Sequence, residues 1–451
     1  MFKLCVTTLL ITLLSCVIPA IASANSDANT HQNAISNDEL IKKIKDLEEQ
    51  VQSIQKQRRQ ESVARQKRLL KEKQEKRLEI SGFFTAAVAT TDRSPNFTSY
   101  EDDVLIEDTP TFNSDTIAAL QFNYQIDAKT SYTHQILSRA SEELKFINTE
   151  WAFLRRWLTD SVAVRAGRLR SSTYMLSDTL EVGFTYPWVR PPSEIYRIPL
   201  TSYEGFDFRR NFSYKSWYGN IQFGYGRGQD DVGAGLDATM FVDRVFTPSI
   251  TISNGELSFR AAYLFGKASV TVERGSPYEK ILNDLIAIRA FDINSFTNVD
   301  FWYANVGARY DDGINLILAE YSDLDLSEFP SPIGAGGYFL YGRKINNWFP
   351  HFTVGHVDNH DKNEALINGI VGIVALVAPS QAAATEQALT TLVNNSFKSY
   401  TLGVNYFVSD HTKLKADVTH LEGFSNGNAV FDKVPTNSHN AIYSLAIDTV
   451  F

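Results

Sequence analysis

The sequence predicts an all-β protein: a transmembrane antiparallel β-barrel of about 16 strands, preceded by a short α-helical coiled-coil segment. Three observations carry this. First, the last thirteen residues, HNAIYSLAIDTVF, alternate. Phe451, Thr449, Ile447, Leu445, Tyr443 and Ala441 share one face, and Val450, Asp448, Ala446, Ser444, Ile442 and Asn440 the other. That is the period of a strand with one apolar face. Second, from Leu78 onward the same period returns in sixteen segments, most of about ten residues or more, the length of a tilted membrane-crossing strand. Third, the connections alternate between short and long, as when turns gather at one rim and loops at the other. After the N-terminus no apolar run reaches 18 residues, so any crossing must be made by strands.

In chain order, residues 1–24 have the layout of a secretory signal peptide: Lys3, an apolar stretch from Val6 to Ile21, then Ala22-Ser23-Ala24 as cleavage site. Leu13-Leu14-Ser15-Cys16 offers the competing pattern of a lipoprotein signal, but the apolar run continues past Cys16. Cys5 and Cys16 are the only two cysteines. The processed chain would have none, which excludes a disulfide scaffold and thiolate chemistry.

Residues 25–79 are expected to be a periplasmic linker and basic coiled coil. Leu40, Ile44, Leu47, Val51 and Ile54 follow at four-three-four-three spacing behind Asp38, a helix cap. Arg58, Glu61 and Arg65 then interrupt the seam. About two heptads are marginal alone and gain from chains already held together elsewhere. Residues 38–79 carry 13 Lys+Arg against 9 Asp+Glu, whereas 80–451 carry 29 against 42. A basic arm thus precedes an acidic body. The arm reads either as a solvated helix or as a contact for an anionic partner such as peptidoglycan. No nucleic-acid partner is expected.

Within 80–451 the strands are expected near 78–91, 115–126, 128–140, 144–156, 161–170, 201–213, 216–227, 238–252, 255–270, 297–311, 312–323, 333–345, 347–358, 396–408, 411–424 and 438–451. Tyr400, Leu402, Val404 and Tyr406 oppose Ser399, Thr401, Gly403 and Asn405; Leu414, Ala416 and Val418 oppose Lys413, Lys415 and Asp417. The polar set should line a wet lumen, because a Lys or Arg facing mid-bilayer lipid costs about 2–4 kcal/mol. Trp151, Trp157, Tyr303 and Tyr310, near strand ends, are candidates for an aromatic girdle. An even strand count puts both ends of the barrel at the rim of short turns, the periplasmic one.

The terminal strand, ending on Phe451 with apolar residues at alternate positions before it, resembles the closing strand of Gram-negative outer-membrane barrels. A second stretch resembles the 16-stranded trimeric porins with an N-terminal periplasmic coil: Gly167-Arg168 at a strand end, Tyr186-Pro187-Trp188 and Arg190-Pro191-Pro192 inside a long loop, and Glu204-Gly205-Phe206 opening the return strand. In that family the third outer loop folds into the lumen as a constriction. The resemblance implies the same of loop 171–200, and a homotrimer in the outer membrane, against lipid and lipopolysaccharide. The consecutive prolines 191–192 stiffen the loop. Candidate constriction residues are Arg165, Arg168, Arg170, Asp178, Glu181, Arg190, Glu194, Arg197, Asp207 and Arg209; Arg260, Arg309, Lys413, Lys415 and Asp417 are candidate lumen-lining residues. A basic wall facing an acidic loop would give a transverse field. The inward surplus of Arg and Lys suggests a mild preference for anionic solutes, set against a wide, weakly selective pore.

Two other features are weaker. His356 and His360 are followed by Asp361, but they fall where a strand enters a loop, so they make no metal site. Ile367 to Ala378 is an apolar run inside a long loop, too short to span a membrane. It is expected to fold onto the barrel, to enter the mouth, or to pack at a subunit contact. Pro277 to Ala290 resembles a second loop helix. The sequence therefore points to a passive channel for small hydrophilic solutes, without cofactor or catalysis. The alternative is a non-channel barrel acting as adhesin or as envelope tether through the coil.

Overall fold

The computed structural model describes residues 77–451 apart from 95, 99–104, 141–146, 197–199, 233–237, 273–276, 288–296, 327–333, 425–429, 432–433 and 436. The chain divides into two units, and the described one is Gln74–Phe451. The expected signal peptide and the coiled coil up to residue 76 lie outside the described residues.

Sixteen strands close into one antiparallel barrel. β1 (Leu78–Thr91) is followed by two short strands, β2 (Phe97–Thr98) and β3 (Leu105–Ile106), which pair with each other inside the first long loop. The barrel continues with β4 (Ile117–Gln125), β5 (Thr130–Arg139), β6 (Ile147–Trp157), β7 (Val162–Arg170), β8 (Ser202–Tyr214), β9 (Trp217–Val232), β10 (Ala238–Ser253) and β11 (Leu257–Val272). It ends with β12 (Val299–Asp311), β13 (Asn315–Leu326), β14 (Gly334–Arg343), β15 (Trp348–Asn359), β16 (Phe397–Phe407), β17 (Thr412–Glu422) and β18 (His439–Val450). Each barrel strand pairs with the one before it, and β18 returns to β1. Gly82 and Phe451 exchange backbone hydrogen bonds of 2.9 and 3.0 Å at the closure. A closed sheet leaves no backbone edge for lipid to meet.

The turn rim is built by local chemistry. At Asp312-Gly313 the Asp312 carboxylate accepts backbone hydrogen bonds from Ile314 and Asn315, at 2.8 and 2.6 Å. Gly313 supplies the φ of +82° that the turn requires. The long-loop rim departs from expectation at 228–237. There the sheet continues, with Gly228 to Val232 paired to Val242 to Ala238.

Outside, the wall is apolar. Phe206, Tyr225, Phe246 and Phe265 follow from strand to strand with ring centroids 5.6, 4.7 and 5.3 Å apart. Leu414 and Val418 are exposed while Lys413, Lys415 and Asp417 are buried inside. Two candidates for the girdle point the other way. Tyr303 is buried inside the barrel against Tyr174, at 5.9 Å; it has the parity of Arg309, so the alternation turns it inward. Trp151, two residues before the inward Phe153, packs on the same interior cluster.

The interior also differs from a uniformly wet lumen. Val242, Val245, Leu264, Phe301, Tyr303, Leu318 and Leu340 all face inward and are buried. They are dry because loop 171–200 covers them. Among the described residues three α-helices occupy the long-loop rim: Pro277–Ala287, Asp361–Val377 and Ala382–Val393. The apolar run at 367–378 forms most of the second, with Ile367, Ile370 and Val374 buried against Leu285, Leu389 and Val393. It folds onto other loop helices.

Candidate functional site: the loop inside the barrel

Loop 171–200 leaves β7 and turns into the barrel, where both of its kinds of side chain find partners. Its apolar residues Tyr174, Leu176, Leu180, Trp188, Ile195 and Tyr196 join the inward faces of β10 to β14 in one cluster. At about 1.5–3 kcal/mol for each large side chain removed from water, this is the main reason that the loop stays in. Its backbone is then pinned by charged groups of the wall. Arg260 of β11 donates to the Ser172 hydroxyl at 2.6 Å and to the Tyr174 carbonyl. Glu320 of β13 accepts from the Met175 N–H at 2.9 Å and from the hydroxyls of Tyr196 and Tyr338.

On the far side β17 holds the second half of the loop. Lys413 donates to the Tyr186 carbonyl at 2.6 Å, and Lys415 to the carbonyls of Gly183, at 2.7 Å, and Trp188. Lys415 also pairs with Asp448 at 2.9 Å. Asp417 accepts from the Val189 N–H at 2.6 Å, and the Trp188 indole donates to Thr353 at 2.7 Å. Buried charges are tolerated only when paired and hydrogen-bonded, and here the loop backbone supplies much of what they need. The base of the loop is locked by Glu181, which pairs with Arg139 at 2.7 Å and Arg170 at 2.6 Å, while Arg170 also meets Glu150 at 2.8 Å. Arg190 pairs with Asp115, with its guanidinium 5.2 Å from the Phe97 ring centre. Glu194 accepts from Ser399.

A separate set of charges lies along β6 to β8 and β11. Arg165 is held through two oxygens of Asp207, with Nε at 2.9 and 3.0 Å, and Gln222 donates to the same carboxylate at 3.0 Å. Arg209 donates to Gln222 at 2.8 Å. Arg155, cross-strand from Arg165, sits 5.6 Å from the Phe153 ring centre. Among the described residues no carboxylate lies within ion-pair distance of Arg155 or Arg209. Opposite them the loop offers Asp178, 3.7 Å from Arg260 and with 60% of its side chain exposed. This is the sector where a basic wall meets an acidic loop residue.

The sequence candidates thus separate into three groups. Arg165, Asp178, Asp207, Arg209 and Arg260 come together. Arg170, Glu181, Arg190, Glu194, Lys413, Lys415 and Asp417 fasten the loop. Arg309, paired with Asp311 at 2.6 Å, lies toward the turn rim. Arg168 does not belong with them. It is the cross-strand neighbour of Ala152 and Glu204, on the outward face; with Arg165 inward, three steps along the strand bring a side chain outside. Arg197 lies outside the described residues. Arg155 was missed, although exposed Leu154 next to it carries the alternation that turns Arg155 inward. Glu320, Tyr338 and Thr353 were missed because nothing local marks them as partners of a loop more than 120 residues away. His356 and His360 go to separate acceptors, the Phe397 carbonyl and Asp323. Among the described residues no group of three His, Cys, Asp or Glu is placed to hold a metal ion.

No protein-family model matches the sequence, and no curated protein matches it. Among solved structures the chain is similar to the outer membrane channel DcaP of Acinetobacter baumannii, at 11% identity over 83% of this chain and 97% of that one, with a TM-score of 0.51. It is also similar to OmpF of Salmonella typhi in complex with daunomycin, at 12% identity, 83% and 97% coverage and a TM-score of 0.48. An anion-selective porin of Comamonas acidovorans follows at 10% identity, 83% and 99% coverage and a TM-score of 0.48. At these identities the likeness is one of fold, and the first of the three carries it.

Proposed function

We propose that the protein is an outer-membrane porin, a passive diffusion channel for small hydrophilic solutes with a mild preference for anions. The observation that supports this best is the charged sector beside the loop. Four guanidiniums, Arg155, Arg165, Arg209 and Arg260, meet two carboxylates, Asp178 and Asp207. A sector with that excess of positive charge favours entry of an anion over a cation, and low-dielectric walls strengthen the bias. Transport of this kind needs no cofactor and no catalysis; the solute gradient drives it. The reading includes a homotrimer, with residues 25–79 as a periplasmic arm that meets peptidoglycan and with lipopolysaccharide around the rim.

The competing reading is a non-conducting barrel that serves as adhesin or envelope tether. It draws on the extent of the interior packing, since an apolar cluster inside a barrel takes space from a pore. Reversal potentials across a salt gradient in planar bilayers decide the selectivity. An anion-selective potential that falls toward zero in Arg155→Gln/Arg209→Gln supports the porin reading. Cation selectivity rejects the preference, and silence of the inserted protein favours the tether.

A further inference from the structure

Asp207 and Arg209 are alternate residues of β8 and share its inward face. Side chains so placed are neighbours on one side of a sheet, and a carboxylate next to a guanidinium would pair with it by default. These two do not pair. Among the described residues Asp207 is within ion-pair distance of Arg165 alone, on the adjoining strand β7. Arg209 donates to Gln222 instead, at 2.8 Å.

What stands between them is the Gln222 side chain. Gln222 lies on β9 directly opposite Arg209 and is fully buried. Its amide offers one end to each charge: Oε1 accepts from Arg209, and Nε2 donates to Asp207 at 3.0 Å. The chemistry of the neighbours fixes this orientation. A guanidinium only donates and an ionised carboxylate only accepts, so the amide fits between them one way round. The sheet opens the diagonal path. Opposite Asp207 on β9 stands Gly224, and the hydroxyls of Tyr203 and Thr247 occupy the place of its missing Cβ. Asp207 therefore takes its donor on β9 from Gln222, the diagonal neighbour. No other kind of side chain meets both demands. Glu would set a second carboxylate against Asp207. Lys or Arg would pair with Asp207 and repel Arg209. An apolar residue would leave an acceptor site of Asp207 and a donor of Arg209 unmatched in the wall.

We propose that Gln222 is a positioning residue for charge selectivity. By occupying Asp207 and holding Arg209 at once, it keeps the Arg209 guanidinium off the carboxylate and presents it to passing anions. The proposal rests on the reading of the barrel as a channel whose charged sector lies along the solute path. Control of ion preference then belongs in part to an uncharged side chain that no solute touches. Without the amide, Arg209 turns along β8 to the vacated acceptor site of Asp207. One positive charge moves from the path to the wall, while the net charge of the chain stays the same.

The test is the reversal potential of the full-length protein in planar bilayers under a potassium chloride gradient, for the wild type, Gln222→Met, Arg209→Gln and the double variant. Met keeps the length of Gln and lacks the amide. Gln222→Met should lower the anion-to-cation permeability ratio roughly two- to fivefold, approaching the fall in Arg209→Gln. The double variant should lie no lower than Arg209→Gln alone, because the amide acts through that guanidinium. A residue that only packs the wall would alter the yield of folded barrel and leave the ratio unchanged. Gln222→Ser, too short to reach either charge, should give the same fall and replaces the Met variant if that chain does not fold. An unchanged ratio, or a double variant in which the two falls multiply, overturns the proposal. The fall is measured against the wild type, so a cation-selective wild type contradicts the anion preference alone and the variants still decide the role of Gln222. A wild type that inserts and passes no current overturns the channel reading and the proposal with it.

Discussion

At the scale of the residue, the proposed anion preference turns on Arg155 and Arg209. Two unit charges about 4 Å apart interact by about 1 kcal/mol in water, a factor of about five in occupancy. Arg155→Gln or Arg209→Gln alone should therefore lower the anion-to-cation permeability ratio roughly two- to fivefold, read as a shift of reversal potential. Asp178→Asn should move it the other way, because Asp178 faces Arg260 from the loop with most of its side chain in solvent. Asp207 is different in kind. It is fully buried and holds Arg165 through both oxygens. Asp207→Asn would leave a buried guanidinium without its counter-charge, a loss of about 3–5 kcal/mol, visible as a lower unfolding temperature. Much of this was legible from alternation. Arg165, Asp207 and Arg209 have inward parity in their strands, and so has Arg155. Arg168 was misplaced because it stands close to a loop, where family likeness rather than parity guided the reading.

At the scale of the element, the third long loop is seated by a dry contact and a set of cationic clamps. Lys415 serves two loop carbonyls and Asp448 at once. Lys415→Met would leave the buried Asp448 without its counter-charge and take a donor from both carbonyls, costing about 3–5 kcal/mol, and should give larger, noisier single-channel currents as residues 183–189 come free. Trp188→Ala, which removes a fully buried ring and its bond to Thr353, should cost about 3–5 kcal/mol and widen the conductance distribution. That the loop turns inward was expected from likeness to porins. What holds it was not legible. The lysines of β17 look from sequence like lumen charges, and only a register spanning some 227 residues brings them onto Tyr186 and Trp188. The inward leucines and valines of β10 to β14 hid for a related reason. A strand that is apolar on both faces has no alternation to read, and here one face is the apolar outer wall while the other meets the loop.

For the whole molecule, the sequence set out a barrel of about 16 strands with short turns at one rim and long loops at the other, and the structure has it. Most strand limits were met within about three residues, because a barrel strand with an apolar outer face must alternate or be apolar throughout. The closure depends on Gly82. A Cβ there would stand 2.5 Å from the Phe451 ring and 2.7 Å from the Ala119 carbonyl oxygen. Gly82→Val should therefore impair joining of β1 to β18 and lower the yield of folded barrel, seen as loss of the compact form in unheated gel electrophoresis. The proposed channel has a direct electrical signature. Single-channel conductance of the full-length protein in a planar bilayer should show discrete, ohmic current steps. A folded barrel that inserts and passes no current would contradict the account.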